Sequence, residues 1–193
     1  MALIIIEGLD NTGKTTAAQK IAELLKFNYV SGGGQEVGTY EGALAKLKEG
    51  LPNKVQDRTF ISEMIYGPIL RGKSGISDQE FMKLMDFLRQ NQCILVYARR
   101  TVTQILATFD ERDQLSGVKE HLHELYEQYD HYMFNKLWTH MEKQPIIYNF
   151  DCTELSELVL LIKCWLCTDE SKPCCSPVHK HKRRETASLM GDD

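Results

Sequence analysis

Eight consecutive residues near the start of the chain, Gly8-Leu9-Asp10-Asn11-Thr12-Gly13-Lys14-Thr15, have the types and spacing of a polyphosphate cradle, G-x-x-x-x-G-K-[ST]. Gly8 and Gly13 let the backbone curl so that successive N–H groups point inward, toward anionic oxygens. A helix opening at Lys14 adds the positive end of its dipole. Lys14 reaches the outer phosphates and offsets charge that shifts during transfer. Thr15 offers a hydroxyl to Mg²⁺, a hard cation that prefers oxygen. The pattern predicts a site for ATP with Mg²⁺.

A second pair, Asp57-Arg58, is expected where a strand ends, at the sheet edge where ligands collect. A carboxylate there can orient an acceptor or Mg²⁺, and a guanidinium can clamp a phosphate. Arg58 also opens a run of arginines. Six of the eight (Arg58, Arg71, Arg89, Arg99, Arg100 and Arg112) fall in this middle stretch, which is therefore expected to face phosphates. Arg112 lies in the charged segment Asp110-Glu111-Arg112-Asp113-Gln114, between two helices. Such a segment can close over phosphates and exclude water, which a phosphate-transferring enzyme needs.

These residues need elements to hold them. Leu3 to Glu7 is a short apolar, β-branched run ended by Gly8, which predicts a buried strand. Lys14 to Leu25 carries Ala17, Ala18, Ile21 and Leu24 at helical spacing. Further strands are expected at Tyr29-Val30, around Val55 as far as Asp57, at Cys93 to Tyr97, and at Ile146 to Tyr148. Helices are expected at Glu41 to Gly50, Ser62 to Arg71 with an interruption at Gly67-Pro68, and Glu154 to Leu166. Ser77 with Glu80 makes a capping box for a helix reaching Gln90. Val118, Leu122, Leu125, Tyr129, Met133 and Met141 mark one face of a single long helix. Tyr126, Tyr129, Tyr132 and Trp138 are read as core rather than as a base-stacking platform. Alternating strands and helices imply an α/β domain, a parallel sheet of about five strands with helices on both faces.

The domain is expected to span residues 1–167. From Thr168 to Asp193 Pro, Ser, Lys and His replace apolar periodicity, which predicts a disordered tail. The opening Met1-Ala2-Leu3 lacks the basic start of a secretory signal, and no apolar run is long enough to span a bilayer, so a cytoplasmic protein is expected. Six cysteines then read as thiols. Cys164-x-x-Cys167 with Cys174, Cys175, His179 and His181 does not meet the usual zinc spacings. A net charge of -4 excludes a protein that coats nucleic acid non-specifically.

With these residues in place, the chain resembles the thymidylate kinase family, and especially its bacteriophage-type members. Glu7-Gly8-Leu9-Asp10 is similar to that family's entry into the loop, Asp57-Arg58 to its Asp-Arg pair, and Glu63, Tyr66-Gly67-Pro68 and Arg71-Gly72 to the segment that follows in phage members. The similarity covers about Ala2 to Leu166. It implies a three-layer P-loop kinase fold and an ATP-dependent transfer to a thymidine-type nucleotide, free or in DNA. It also implies roles: Asp10 near the acceptor's reacting group, Asp57 near metal and acceptor, Arg58 on an acceptor phosphate, Arg112 in the lid.

The stretch Ser31 to Gln56 is shorter and richer in glycine than in ordinary thymidylate kinases. That favours the family branch that phosphorylates the hydroxymethyl group of 5-hydroxymethyluracil within phage DNA, a step in thymidine hypermodification. The basic run Lys180 to Arg184 points the same way. A thymidylate or deoxynucleoside monophosphate kinase, and a nucleotide-binding NTPase switch with a protein partner, remain the alternatives.

Overall fold

The first strand, β1 (Ala2–Glu7), is buried at every residue. Ile4, Ile5 and Ile6 run without alternation, as a strand covered on both faces must. The computed structural model describes residues 2–32, 35–109, 116–137, 139–141, 144–151 and 153–167. Arg112 and its segment, Trp138, the two histidines and two cysteines of the tail, and the basic run all lie outside the described residues. The chain divides into two compact units, Met1–Thr153 and Glu154–Asp193.

In the first unit β1 sits at the middle of a five-stranded sheet of order β2-β3-β1-β4-β5, with β2 at Asn28–Ser31, β3 at Asn53–Asp57, β4 at Ile94–Ala98 and β5 at Ile146–Tyr148. All four pairings are parallel. Their register sets Ile6 opposite Asp57 and Glu7 opposite Tyr97. The loop after β1 therefore opens at the carboxyl edge, flanked by the ends of β3 and β4. Side chains alternate across the sheet. Leu3 and Ile5 join a core with Phe60, Phe81, Leu84, Leu122 and Tyr129. Helix α1 (Lys14–Leu25), with Ala17, Ala18 and Ile21 buried, packs on β1, β2 and β3.

The core side is built by α2 (Tyr40–Lys48), α3 (Phe60–Arg71), α4 (Asp78–Gln90), the short α5 (Val102–Ala107) and α6 (Leu122–His131). A 3₁₀ turn at Gln35–Gly38 precedes α2. Both halves of the Ser77–Glu80 capping box are formed. In the second unit, α7 (Leu155–Leu166) buries Leu158, Val159 and Ile162. No helix among the described residues is long and apolar enough to cross a membrane.

Two expectations need correction. Gly67-Pro68 does not interrupt α3, which runs unbroken to Arg71 and ends on Gly72 in the left-handed region. Gly67 is there for contact: a Cβ on it would lie 2.9 Å from the Lys73 carbonyl oxygen and 2.8 Å from Glu63 Oε1. The bare backbone admits the chain as it folds back after the helix. The single long helix also fails. Helical turns begin only at α6, and from Tyr132 to Lys136 the pattern widens to a π-helical turn, closed by the Leu137 N–H on the Tyr132 carbonyl at 2.8 Å. Tyr132 and Met133 are both buried in this turn. Tyr129 and Tyr132 are core, as expected, and Tyr126 packs partly buried against it.

Candidate functional site

Gly8 and Gly13 both have positive φ, 147° and 79°, and so does Asn11 at 59°. A Cβ on Gly8 would overlap the Ala98 carbonyl oxygen, so only glycine lets the chain leave β1 beside the end of β4. Gly13 is the N-cap of α1, and Lys14 to Thr16 form its first turn. A helix's first turn offers N–H groups that have no partner within the helix. That turn, with Asp10, Asn11 and Gly13 of the loop, lines one cavity of about 420 Å³. Gly13, Lys14 and Thr15 line one part of it, and Asp10 and Arg58 another.

Each charged group in this site is bonded to another part of the chain. The Lys14 ammonium donates to the Leu9 carbonyl. Burial, reinforced by repulsion from Arg58 and opposed by Asp10, Asp57 and Glu7, brings its pKa down to about 8. Thr15 Oγ1 donates to Asp57 Oδ2 at 2.5 Å. The Arg58 guanidinium donates to Asp10 Oδ1 and lies 5.3 Å from the centre of the Tyr66 ring. The Tyr66 hydroxyl donates to Asp10 Oδ2 at 2.8 Å. Burial alone would raise the Asp10 carboxyl, but Arg58, Lys14 and the Tyr66 hydroxyl outweigh it and hold the group below the usual carboxylate range.

Among the described residues, two buried side-chain polar atoms have no hydrogen-bond partner, Asp57 Oδ1 and Asn11 Nδ2. An orphaned buried carboxylate oxygen is costly unless a cation or donor satisfies it. This oxygen and the Thr15 hydroxyl, bonded to the other oxygen of the same carboxylate, are the donor type that a hard cation takes. Among the described residues no group of three His, Cys, Asp or Glu gathers as a metal cluster.

Of the expected residues, Gly8 to Thr15, Asp57 and Arg58 come together, while Arg112 lies outside the described residues. The arginine run does not face phosphates as a block. Arg71 pairs with Glu63 at 2.5 Å, Arg89 with Asp86 at 2.8 Å, and Arg99 forks onto Asp130 at 2.9 and 2.7 Å. Arg99 ties the end of β4 to α6, while Arg71 and Arg89 pair within their own helices, which the residue type alone does not reveal. Arg100 does reach the cavity. It donates to the Asn11 carbonyl at 2.8 Å, to Thr108 Oγ1 at 3.1 Å, and in a fork to Asp151 at 2.6 and 3.0 Å.

Three residues were given no role at the site from the sequence. Phe150 and Thr108 line the cavity, and the Phe150 ring lies where a Cβ on Gly13 would be. Neither carries a local signal. The third is Glu7, fully buried, which accepts from the Thr59 N–H and hydroxyl, both at 2.6 Å, and from the Ser62 hydroxyl at 2.8 Å. Burial pushes its carboxyl above the ordinary value, against the pull of those hydrogen bonds and of Arg58. A lone carboxylate ending an all-apolar strand was the available clue.

No protein-family model matches the chain, and no curated protein sequence does. Among solved structures it is similar to the YorR protein of Bacillus subtilis in complex with phosphorylated GDP. The identity is 18% and the TM-score 0.69, over 89% of this chain and 99% of that one. It is also similar to deoxyadenosine kinase from M. mycoides with bound dATP, at 15% identity and TM-score 0.58, covering 85% and 98% of the two chains. The same enzyme with bound dCTP gives 16% and 0.55, over 86% and 98%. At these identities the likeness is one of fold, and it extends over 98–99% of each of those chains.

Proposed function

We propose that this chain is an ATP- and Mg²⁺-dependent phosphotransferase of the thymidylate kinase type, acting on a thymidine-type nucleotide. The observation that carries the reading is the shared cavity: loop residues for a polyphosphate and the Asp10–Arg58 pair for an acceptor line the same space. Phosphoryl transfer asks little covalent chemistry of a protein beyond alignment and charge neutralisation. The loop amides and Lys14 hold the β- and γ-phosphates. Thr15 and Asp57 would hold Mg²⁺, which supplies charge compensation on the phosphate oxygens. The acceptor hydroxyl oxygen attacks the γ-phosphorus as the bond to the bridging oxygen of ADP breaks, and the hydroxyl proton passes to an oxygen of the transferred phosphoryl group and from there to solvent. Asp10, kept ionised by its neighbours, takes the hydrogen bond of that hydroxyl in exchange for one of its own partners, and so aims it. Arg58 faces the transferring group or an acceptor phosphate. Arg100, Thr108 and Phe150, on the far side of the loop, offer a ledge for the donor's base.

The acceptor we favour is the 5-hydroxymethyl group of 5-hydroxymethyluracil in DNA, a primary alcohol in a polymer whose sugar hydroxyls are esterified. Two features support it. A cavity of about 420 Å³ suits one nucleotide-sized ligand, so the acceptor would contribute its reacting group and remain largely outside. The reduced stretch before Asp57 is also closed down: the Gly38 carbonyl sits so tightly on Gly75 that no side chain fits between them. A second reading, thymidylate or another deoxynucleoside monophosphate converted to its diphosphate, is favoured by Arg58, the kind of group that clamps an acceptor phosphate.

Labelled ATP offered in parallel with hydroxymethyluracil DNA, thymidylate and other deoxynucleoside monophosphates tests both. Label in DNA supports the first reading, and thymidine diphosphate the second. Rapid hydrolysis with no acceptor present would refute both, and would favour an NTPase switch.

A further inference from the structure

We propose that Glu7 is a positioning residue for Arg58: it locks the turn that carries the guanidinium and so sets the acceptor side of the site. The inference rests on the phosphotransferase reading and extends it to a residue that touches no substrate.

Arg58 has φ 68°, a left-handed conformation that disfavours any side chain with a Cβ, so something must hold it there. The turn is gripped on every side. The Arg58 N–H donates to the Ile6 carbonyl at 3.0 Å, and its carbonyl accepts from Gln56 Nε2 at 3.0 Å. The next N–H, that of Thr59, and the Thr59 hydroxyl both donate to Glu7 Oε1. Glu7 Oε2 takes the Ser62 hydroxyl, one helical turn into α3. Ser62 Oγ also lies 3.4 Å from Arg58 Nη1 and 2.8 Å from the Tyr129 hydroxyl. One buried carboxylate therefore spans the strained residue, binding the backbone just after it and the side chain that flanks its guanidinium.

From that turn the guanidinium meets Asp10 and the face of Tyr66. The carboxylate's hydrogen bonds go to the start of α3 and to Tyr129, and it reaches the phosphate loop only through its charge on Lys14, as the smallest of the pulls on that ammonium. Losing it should release Arg58 and leave donor binding intact.

The experiment uses the full chain with Glu7→Ala, Glu7→Gln, Arg58→Ala and the double variant Glu7→Ala/Arg58→Ala. Three quantities are read: the Kd for ATP with Mg²⁺, the acceptor kcat/KM, and the NMR signal of the Arg58 Nε–H, identified by its loss in Arg58→Ala. Glu7→Ala is expected to lower acceptor kcat/KM on the order of 100-fold, the scale of a misplaced aligning group. The Kd for ATP should stay within about twofold, and Glu7→Ala should add no loss in the Arg58→Ala background. Additive losses, or an equal loss of ATP affinity, would overturn the proposal.

Glu7→Gln guards against a variant that does not fold. Its amide oxygen can accept from Thr59 while its NH₂ donates to Ser62, so acceptor kcat/KM should fall less than about tenfold, the cost of weakening one bond. The Arg58 signal should move in Glu7→Gln, and a signal that stays put would also overturn the proposal. If the wild-type chain passes phosphate to no acceptor, the functional reading fails, whereas the NMR comparison still decides whether Glu7 positions Arg58.

Discussion

Replacing Lys14 by methionine should make the protein more stable and nearly inactive. The ammonium is 95% buried and its pKa falls from 10.5 to about 8, first through burial and then through Arg58. Holding it charged at neutral pH therefore costs the folded state about 3 kcal/mol. Methionine removes that cost and also removes the bond to the Leu9 carbonyl, which offsets about 1 kcal/mol. A net gain of about 2 kcal/mol follows. The sign with pH is equally specific. Between the folded and unfolded pKa values the unfolded chain holds a proton that the folded chain has lost, so stability rises as pH rises.

Lys54, fully buried and also brought down to about 8 by burial, contributes over the same range. From about pH 7 to about pH 9.5 each lysine is worth about 2 kcal/mol, opposed by the Cys93 thiol, which burial pushes up, so the gain of Lys14→Met over this range should be about 2 kcal/mol smaller than that of wild type. Urea titrations across that range measure both slopes. Phosphate transfer by the same variant should fall by about 10²–10³, the cost of removing one aligned electrostatic donor. A Lys14→Met protein that unfolds at lower urea than wild type, keeps the wild-type pH slope, or still transfers phosphate would refute the reasoning.

Asp57→Asn should raise the Mg²⁺ concentration needed for half-maximal transfer by at least about tenfold, since it removes the charge of one of the two proposed oxygen ligands; metal titration of the rate checks it. Gly8→Ala should abolish nucleotide binding or folding, because its Cβ would overlap the Ala98 carbonyl, whereas Gly72→Ala, also left-handed but with nothing within 4 Å, should cost only about 1–2 kcal/mol. Denaturation of the two variants side by side separates overlap from backbone strain. Arg100→Ala frees both Asp151 and the Asn11 carbonyl, and should weaken ATP binding about tenfold or more, as loss of a charged hydrogen-bond hub does, without changing acceptor preference. Calorimetric titration and the acceptor panel measure the two halves of that statement.

The parts of the site legible in the sequence were those whose physics is local. Gly8 to Thr15 is contiguous, and the apolar run before it and the helical period after it place it at a sheet edge. Asp57-Arg58 was also placed correctly, at the end of a strand whose parallel pairing to β1 brings it beside Thr15 and Asp10. What escaped depends on contacts distant in sequence. Arg99 and Arg100 are adjacent and alike, yet one forks onto Asp130 in α6 and the other onto Asp151 after β5. Nothing in their own neighbourhood distinguishes a tie between elements from a cavity wall. Gly67-Pro68 reads as a break by propensity, and Pro68 does forgo the bond to the carbonyl four residues back, yet the close contact at Gly67 goes with the helical path. The π-helical turn after α6 is likewise set by which aromatic rings must fit together, not by the residues' own preferences.

If the cavity takes a triphosphate as proposed, binding proceeds by exchange. Lys14 is bonded to Leu9, Thr15 to Asp57, Arg58 to Asp10, and Arg100 to Asp151 and the loop itself. A phosphate oxygen arriving at Lys14 replaces one hydrogen bond by another, a change of about 1 kcal/mol at most for a neutral acceptor. The larger gain comes from charge, because a triphosphate meets a desolvated ammonium and a helix N-terminus in a medium where water screens poorly. The same logic discourages transfer to water. Asp10 is held below the usual carboxylate range with both oxygens engaged, so it is a weak base and does not strip a proton from a passing water. An acceptor that also contacts Arg58 or Tyr66 can displace those bonds and take their place, and a lone water cannot. Selection against hydrolysis would then reside in the Asp10–Arg58–Tyr66 contact, with acceptor identity and catalytic competence set by the same three side chains.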